Sequence, residues 1–293
     1  MIETPQERVH PVQLDVNSPE APARAGLVFW RLLRDNTPMI LAWGTGYSFL
    51  IVLVVVLYPI LEENNMLLDV IRGLGMLDVF EENYNIDLSG LTTFPGYLAL
   101  EALGWTPTVL TVFTLPQAIG AVMGEEQRGT LDLLMSTPLR RWQFLLEKTA
   151  AIFASLLGIL GMMWVTLVVS SILVGVEITL SQTLIGIWHI IPISAVFICV
   201  TLFLSVTFRS PRTALGLAAA YVFFSFFSNV LGDAVDVPLL RFFQQFGAHA
   251  YYSSVEAMLN FAPRWETEAA MLLASAVFLA LAVWRFQKRD LMR

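Results

Sequence analysis

Long apolar runs separated by short polar breaks dominate the chain, and each run is close to the roughly 20 residues a helix needs to cross a bilayer. Six are marked, at residues 39–61, 107–124, 149–174, 183–208, 213–231 and 268–286. At about 1.5 Å per residue the first covers roughly 35 Å, enough to span with some tilt. The second and fifth are shorter and more polar, as helices bordering a cavity tend to be, and the second carries Pro116, which a bundle tolerates as a kink. Residues 1–24, with Pro5, Pro11, Pro19 and Pro22, read as an irregular leader without the features of a cleavable signal peptide. Residues 25–36 form a separate unit, in which Leu27, Trp30 and Leu33 alternate with Arg31 and Arg34. That pattern predicts a short helix lying in the membrane surface, broken by Asn36-Thr37-Pro38 before the spanning part, residues 37–293, begins.

Composition fixes the solvent. Of the 293 residues 56% are hydrophobic and 14% charged, whereas soluble domains carry about a quarter charged residues. The expected fold is therefore an all-α integral membrane protein with six transmembrane helices. The single cysteine, Cys199, lies in an apolar run, so neither a disulfide framework nor a cysteine metal site can be built. Of the 17 Lys and Arg residues, all but Arg72, Arg241 and Arg264 fall on the side holding both termini and the second-to-third and fourth-to-fifth connections. The positive-inside rule then predicts cytoplasmic termini in a multi-pass plasma-membrane protein. The connection between the first two spans is acidic (Glu62, Glu63, Asp69, Asp78, Glu81, Glu82, Asp87 and Glu101) but lacks the regular ligand spacing of a calcium loop, so it reads as solvated surface. Two amphipathic, aromatic-rich stretches, 237–246 and 251–261, are candidates to dip into the outer leaflet.

The densest local signal lies between the second and third runs, Glu125-Glu126-Gln127-Arg128-Gly129-Thr130-Leu131-Asp132-Leu133-Leu134-Met135-Ser136-Thr137-Pro138. Gly129 lets the backbone bend, Thr130 caps a new helix, Asp132 complements its N-terminal dipole and Pro138 ends it after about two turns. Leu131, Leu134 and Met135 share one face, a small apolar knob outside the membrane that requires a partner.

This segment resembles the Glu-x-x-Arg-Gly-Thr-Leu-(Asp/Glu)-Leu-Leu-x-(Ser/Ala)-Thr-Pro pattern of the permeases of type-two ABC exporters, with Met135 where leucine is common. The likeness extends to the helix before the first span, the connection containing Pro95-Gly96-Tyr97-Leu98-Ala99-Leu100-Glu101, and the six-span count. The resemblance implies a coupling helix docking on a separate ABC ATPase subunit, with residues 25–36 as the neighbouring connecting helix. It assigns transmission to Glu125, Glu126, Arg128, Gly129, Thr130, Leu131, Asp132, Leu134 and Pro138. It further implies a second permease subunit, as homodimer or heterodimer, in contact with membrane lipids, and no nucleic acid.

The chain has no Gly-x-x-x-x-Gly-Lys-(Ser/Thr) loop, since its two lysines, Lys148 and Lys288, follow Glu147 and Gln287. The chain itself is thus expected to be no enzyme and to hold no cofactor, with ATP and magnesium on the partner subunit. Thr108, Thr111, Thr114 and Gln117 recur every three residues in the second span, and Tyr221, Phe224, Phe227 and Asn229 mark the fifth. Two readings of these residues stand: they line a substrate path, or the hydroxyls bond their own helix while the rings pack. Small-residue faces at Gly158/Gly161 and Gly216/Ala220 would allow close helix packing. A secondary transporter would need paired charges inside the spans. An intramembrane protease would need further histidines, whereas His189 is the one histidine within a run and reads as structural.

Overall fold

The computed structural model describes residues 26–63, 88–127, 129, 140–234, 237–260 and 263–288. Every regular element among these residues is helical, and six helices are long and apolar enough to cross a membrane. They are α1 (Leu27–Glu63), α2 (Phe94–Gln127), α3 (Arg141–Val174), α4 (Leu180–Thr207), α5 (Pro211–Ala234) and, after the short helices α6 (Pro238–Gln244) and α7 (Ser254–Leu259), α8 (Trp265–Lys288). The protein is an all-α integral membrane protein. Its axis is α4, whose apolar stretch is 78% buried against 22% for α5 and α8. The most extensive pairings are α1 along α3 and α8 along α4, with α2 and α5 on the remaining faces of α4.

The expected break at Asn36-Thr37-Pro38 does not occur, and the surface helix and first span form one 37-residue helix. Pro38 removes one backbone donor, but local and tertiary bonds hold the turn. The Thr37 hydroxyl donates to the Leu33 carbonyl at 3.1 Å, and the buried Asn36 amide donates to Ser155 Oγ of α3 at 3.4 Å. Packing along α3 overrides the local breaker. The helices approach closely at Gly44, where a Cβ would run into the Met162 side chain, and Gly158 faces Ile40. Gly161 and Gly216 instead face open space among the described residues, so only the Gly158 part of the small-residue faces expected there is in close contact. Gly44→Leu is expected to wedge α1 from α3 and lower stability by about 1–3 kcal/mol, read as a drop in the melting midpoint in detergent.

The second span begins earlier than residue 107. The stretch expected to be an external connection is helical from Phe94, with Phe94–Ala99 all buried. Thr93 caps it by accepting from the Gly96 N–H at 3.4 Å, and Gly104 stays right-handed (φ −59°), so α2 continues. Two π-helical turns, Ala99–Leu103 and Gly120–Gly124, widen α2 near its ends. Of the two aromatic-rich stretches, α6 exposes Leu239, Phe242 and Phe243, whereas α7 buries Val255, Ala257 and Met258 inside the fold.

Candidate functional site

The ends of α2 and α8 and the starts of α1 and α3 meet at one end of the bundle, and there α3 makes two adjacent charged contacts. Lys148 Nζ lies 2.8 Å from Glu125 Oε1, with both side chains largely shielded (7% and 17% exposed). Its neighbour Glu147 turns the other way and accepts the backbone N–H groups of Gly26 (2.8 Å), Val28 (3.0 Å) and Phe29 (3.3 Å). These are donors that the first turn of α1 leaves without helical partners, and a carboxylate there also complements the helix dipole. Arg141 donates to the Gln287 carbonyl at the end of α8 at 3.3 Å, while Phe144 stacks on Phe286. The first two turns of α3 therefore hold α1, α2 and α8 together.

Of the motif residues, Glu125, Glu126 and Gly129 lie among the described residues, while Arg128, Thr130, Leu131, Asp132, Leu134 and Pro138 lie outside them. So do the acids Asp69, Asp78, Glu81, Glu82 and Asp87. The π-turn Gly120–Gly124 leads into a last helical turn, Glu125–Gln127, and Gly129 follows with φ +65°, its N–H bonded to the Glu126 carbonyl at 3.2 Å. That left-handed conformation is one glycine adopts freely and other residues resist, so it turns the chain out of α2 at low strain.

Residues 42–291 match the family model described as ABC-2 family transporter protein. The chain belongs to the ABC-2 transporter family. It is thus a multi-pass membrane permease, a component of an ABC transporter, and membership implies partnership with an ABC ATPase subunit. Among curated proteins none matches the chain.

In the ABC-2 permease the polar stripe of α2 is distributed over several partners. Thr108 Oγ1 lies 2.9 Å from His249 Nε2, Thr111 donates to the Thr108 carbonyl at 2.6 Å, Thr114 is buried, and Gln117 reaches Met39 Sδ at 3.5 Å. On α5, Phe224 and Phe227 are exposed, Tyr221 donates to the Phe246 carbonyl (3.4 Å) and Asn229 accepts from Gln244 (3.1 Å). An apolar cavity of about 320 Å³ opens between α1 and α2, lined by Ala42, Trp43, Gly46, Tyr47, Leu50 and Val109.

Sequence reasoning missed the partners of both described histidines. His189 on α4 pairs with Glu268 of α8 at 2.9 Å, both fully enclosed, so an ionisable pair lies between two spans. His249 bridges Thr108 and Ser225, with Ser225 Oγ at 2.8 Å from its Nδ1. Burial holds the His249 imidazole down at about 4, below its ordinary 6.5. The unfolded chain takes up this proton near pH 6.5 and the folded one only near 4, so between these values the unfolded state binds more protons. Stability should fall by roughly 3 kcal/mol as pH drops from about 6.5 to about 4. Thermal melts of wild type and His249→Asn across that window test this, with the steeper slope expected in wild type.

Proposed function

We propose that this permease is the transmembrane subunit of an ATP-driven exporter, that the termini and the 125–138 segment face the cytoplasm, and that this segment docks on a separate ATPase subunit. The observation that carries the reading is the pair Glu147-Lys148: neighbouring residues of α3 hold the start of α1 on one side and Glu125, where the motif leaves α2, on the other. A push on residues 129–138 enters α2 at Glu125, passes to α3 through Lys148 and reaches α1 through Glu147. Three spans then tilt as one body, because dense helix interfaces transmit displacement rather than absorb it.

The distribution of Lys and Arg supports the orientation. For the path we favour the α1–α2 cavity together with the exposed aromatic face of α5 (Phe224 and Phe227) in a complex with a second permease subunit; the lining suits an amphipathic substrate. Thr108, Thr111, Thr114, Gln117, Tyr221 and Asn229 set the polarity and shape of its wall. The chain makes or breaks no bond, and ATP with magnesium binds on the partner.

The test is co-purification with the ABC ATPase subunit and reconstitution in proteoliposomes. The wild-type permease should retain the ATPase and move an amphipathic substrate outward with ATP. Leu134→Asp, which puts a charge on the apolar knob, should release the ATPase from a permease that still folds. Undiminished co-purification of Leu134→Asp would overturn the docking assignment.

A further inference from the structure

At the end of the bundle opposite Glu147, α7 and the residues before it close over α2, α4 and α8. Met258 seats in a notch at Gly186 of α4, where a Cβ would meet its Sδ at 2.7 Å. The Ser254 hydroxyl donates to the Ala99 carbonyl in the first π-turn of α2 at 3.0 Å, and the Tyr252 hydroxyl donates to the Leu103 carbonyl at 2.7 Å. Ala257 is fully buried behind these contacts. Beneath them sits the one fully enclosed carboxylate among the described residues, Glu268. Trp188 Nε1 donates to its Oε2 at 2.9 Å, and His189 Nδ1 lies 2.9 Å from its Oε1. The other ring nitrogen, Nε2, accepts the backbone N–H of Ser253 at 3.2 Å, and Tyr252 stacks on the same ring at 4.8 Å.

These contacts determine the tautomer. A nitrogen that accepts an N–H carries no proton, so the neutral ring bears its hydrogen on Nδ1, pointed at the Glu268 carboxylate. We propose that Glu268 and His189 are a positioning pair: the carboxylate fixes the imidazole as an acceptor, and that acceptor latches the Ser253 backbone, holding α7 closed over the bundle end. Glu268 itself does not touch the segment it controls. An enclosed carboxylate satisfied by two side-chain donors is costly to retain unless it orders its surroundings, and here what it orders is a single backbone N–H. The inference rests on the proposed function only in taking this end as the exit side, from which substrate leaves when α7 lifts.

Two measurements on the purified full-length permease, without its ATPase, test the pair. The chain has three histidines, so ring-¹⁵N labelling gives few signals, and His10→Asn and His249→Asn variants identify those of His189. The expected spectrum shows a protonated Nδ1 and an unprotonated Nε2 at neutral pH; a protonated Nε2 overturns the proposal. The second measurement places a thiol behind α7 as Ala257→Cys in a Cys199→Ala background and follows labelling by a membrane-impermeant maleimide in nanodiscs. His189→Asn keeps a donor toward Glu268 but offers Ser253 no ring nitrogen, and should speed labelling by roughly tenfold, as expected for losing one hydrogen bond to a buried donor. Trp188→Phe removes a donor from Glu268 without touching Ser253 and should leave the rate near wild type. Equal labelling of wild type and His189→Asn, or equal acceleration by Trp188→Phe, overturns the latch. Because neither readout involves ATP, failure here leaves the ATPase-coupling assignment standing, and a Leu134→Asp failure leaves the latch standing.

Discussion

Lys148→Met is expected to destabilise the permease by about 3–5 kcal/mol and abolish transport, because it strips a counter-ion from a carboxylate in a shielded site. The Lys148–Glu125 distance is 2.8 Å and the pair is closed off by the packing of α3 against the end of α2. Removing one charge of such a pair costs far more than removing both, since two apolar groups can fill the same space without a solvation penalty. The double variant Glu125→Leu, Lys148→Met should therefore recover most of the melting midpoint. Transport should not recover with it if the ionic contact passes force from the motif into α3. A double variant that regained both stability and transport would reduce the pair to a structural role. Parallel melting curves and uptake into inverted vesicles separate the outcomes.

What was legible in the sequence was what local spacing encodes. Six runs of bilayer length correspond to six spanning helices, and the Glu125–Pro138 spacing points to the ABC-2 family by itself. What escaped were contacts between residues far apart in the chain. Glu147 reaches α1 across 121 positions, and His189 meets Glu268 across 79. No periodicity within a helix signals such partners; a carboxylate near the start of a span looks the same whether it faces water or an imidazole. The misplaced boundaries share a second cause. Pro38 and Gly104 are breakers by propensity, yet each sits in a helix held by its neighbours, Asn36 to Ser155 for α1 and Ser254 to the Ala99 carbonyl for α2. Propensity costs of about 1 kcal/mol for glycine and about 3 kcal/mol for proline yield to packing of that extent. Glu268 illustrates both causes, since its partners Trp188 and His189 lie far away in the chain and α8 begins before the expected boundary at residue 268, at Trp265.

Glu147 carries the second large expectation. Its carboxylate serves three N–H groups at the start of α1, so Glu147→Ala leaves that turn without its acceptor at a cost of about 1–3 kcal/mol, concentrated at one end of one helix rather than spread over the fold. Residues 26–36 should then separate from α3 while the membrane-embedded part of α1 stays packed at Gly44. The consequence is uncoupling: ATP hydrolysis by the complex continues, but transport per ATP falls by roughly tenfold or more, the factor that about 1.4 kcal/mol of lost coupling produces. Glu147→Gln keeps an acceptor without the charge and should fall between wild type and alanine. Glu147→Asp should fall short as well, because the shorter side chain cannot reach all three donors. The measurement is the ratio of substrate moved to ATP hydrolysed in proteoliposomes, with hydrogen exchange at residues 26–36 as the structural readout. Loosened exchange with an unchanged ratio would mean that α1 is held there for stability alone, and that force from Glu125 stops at α3.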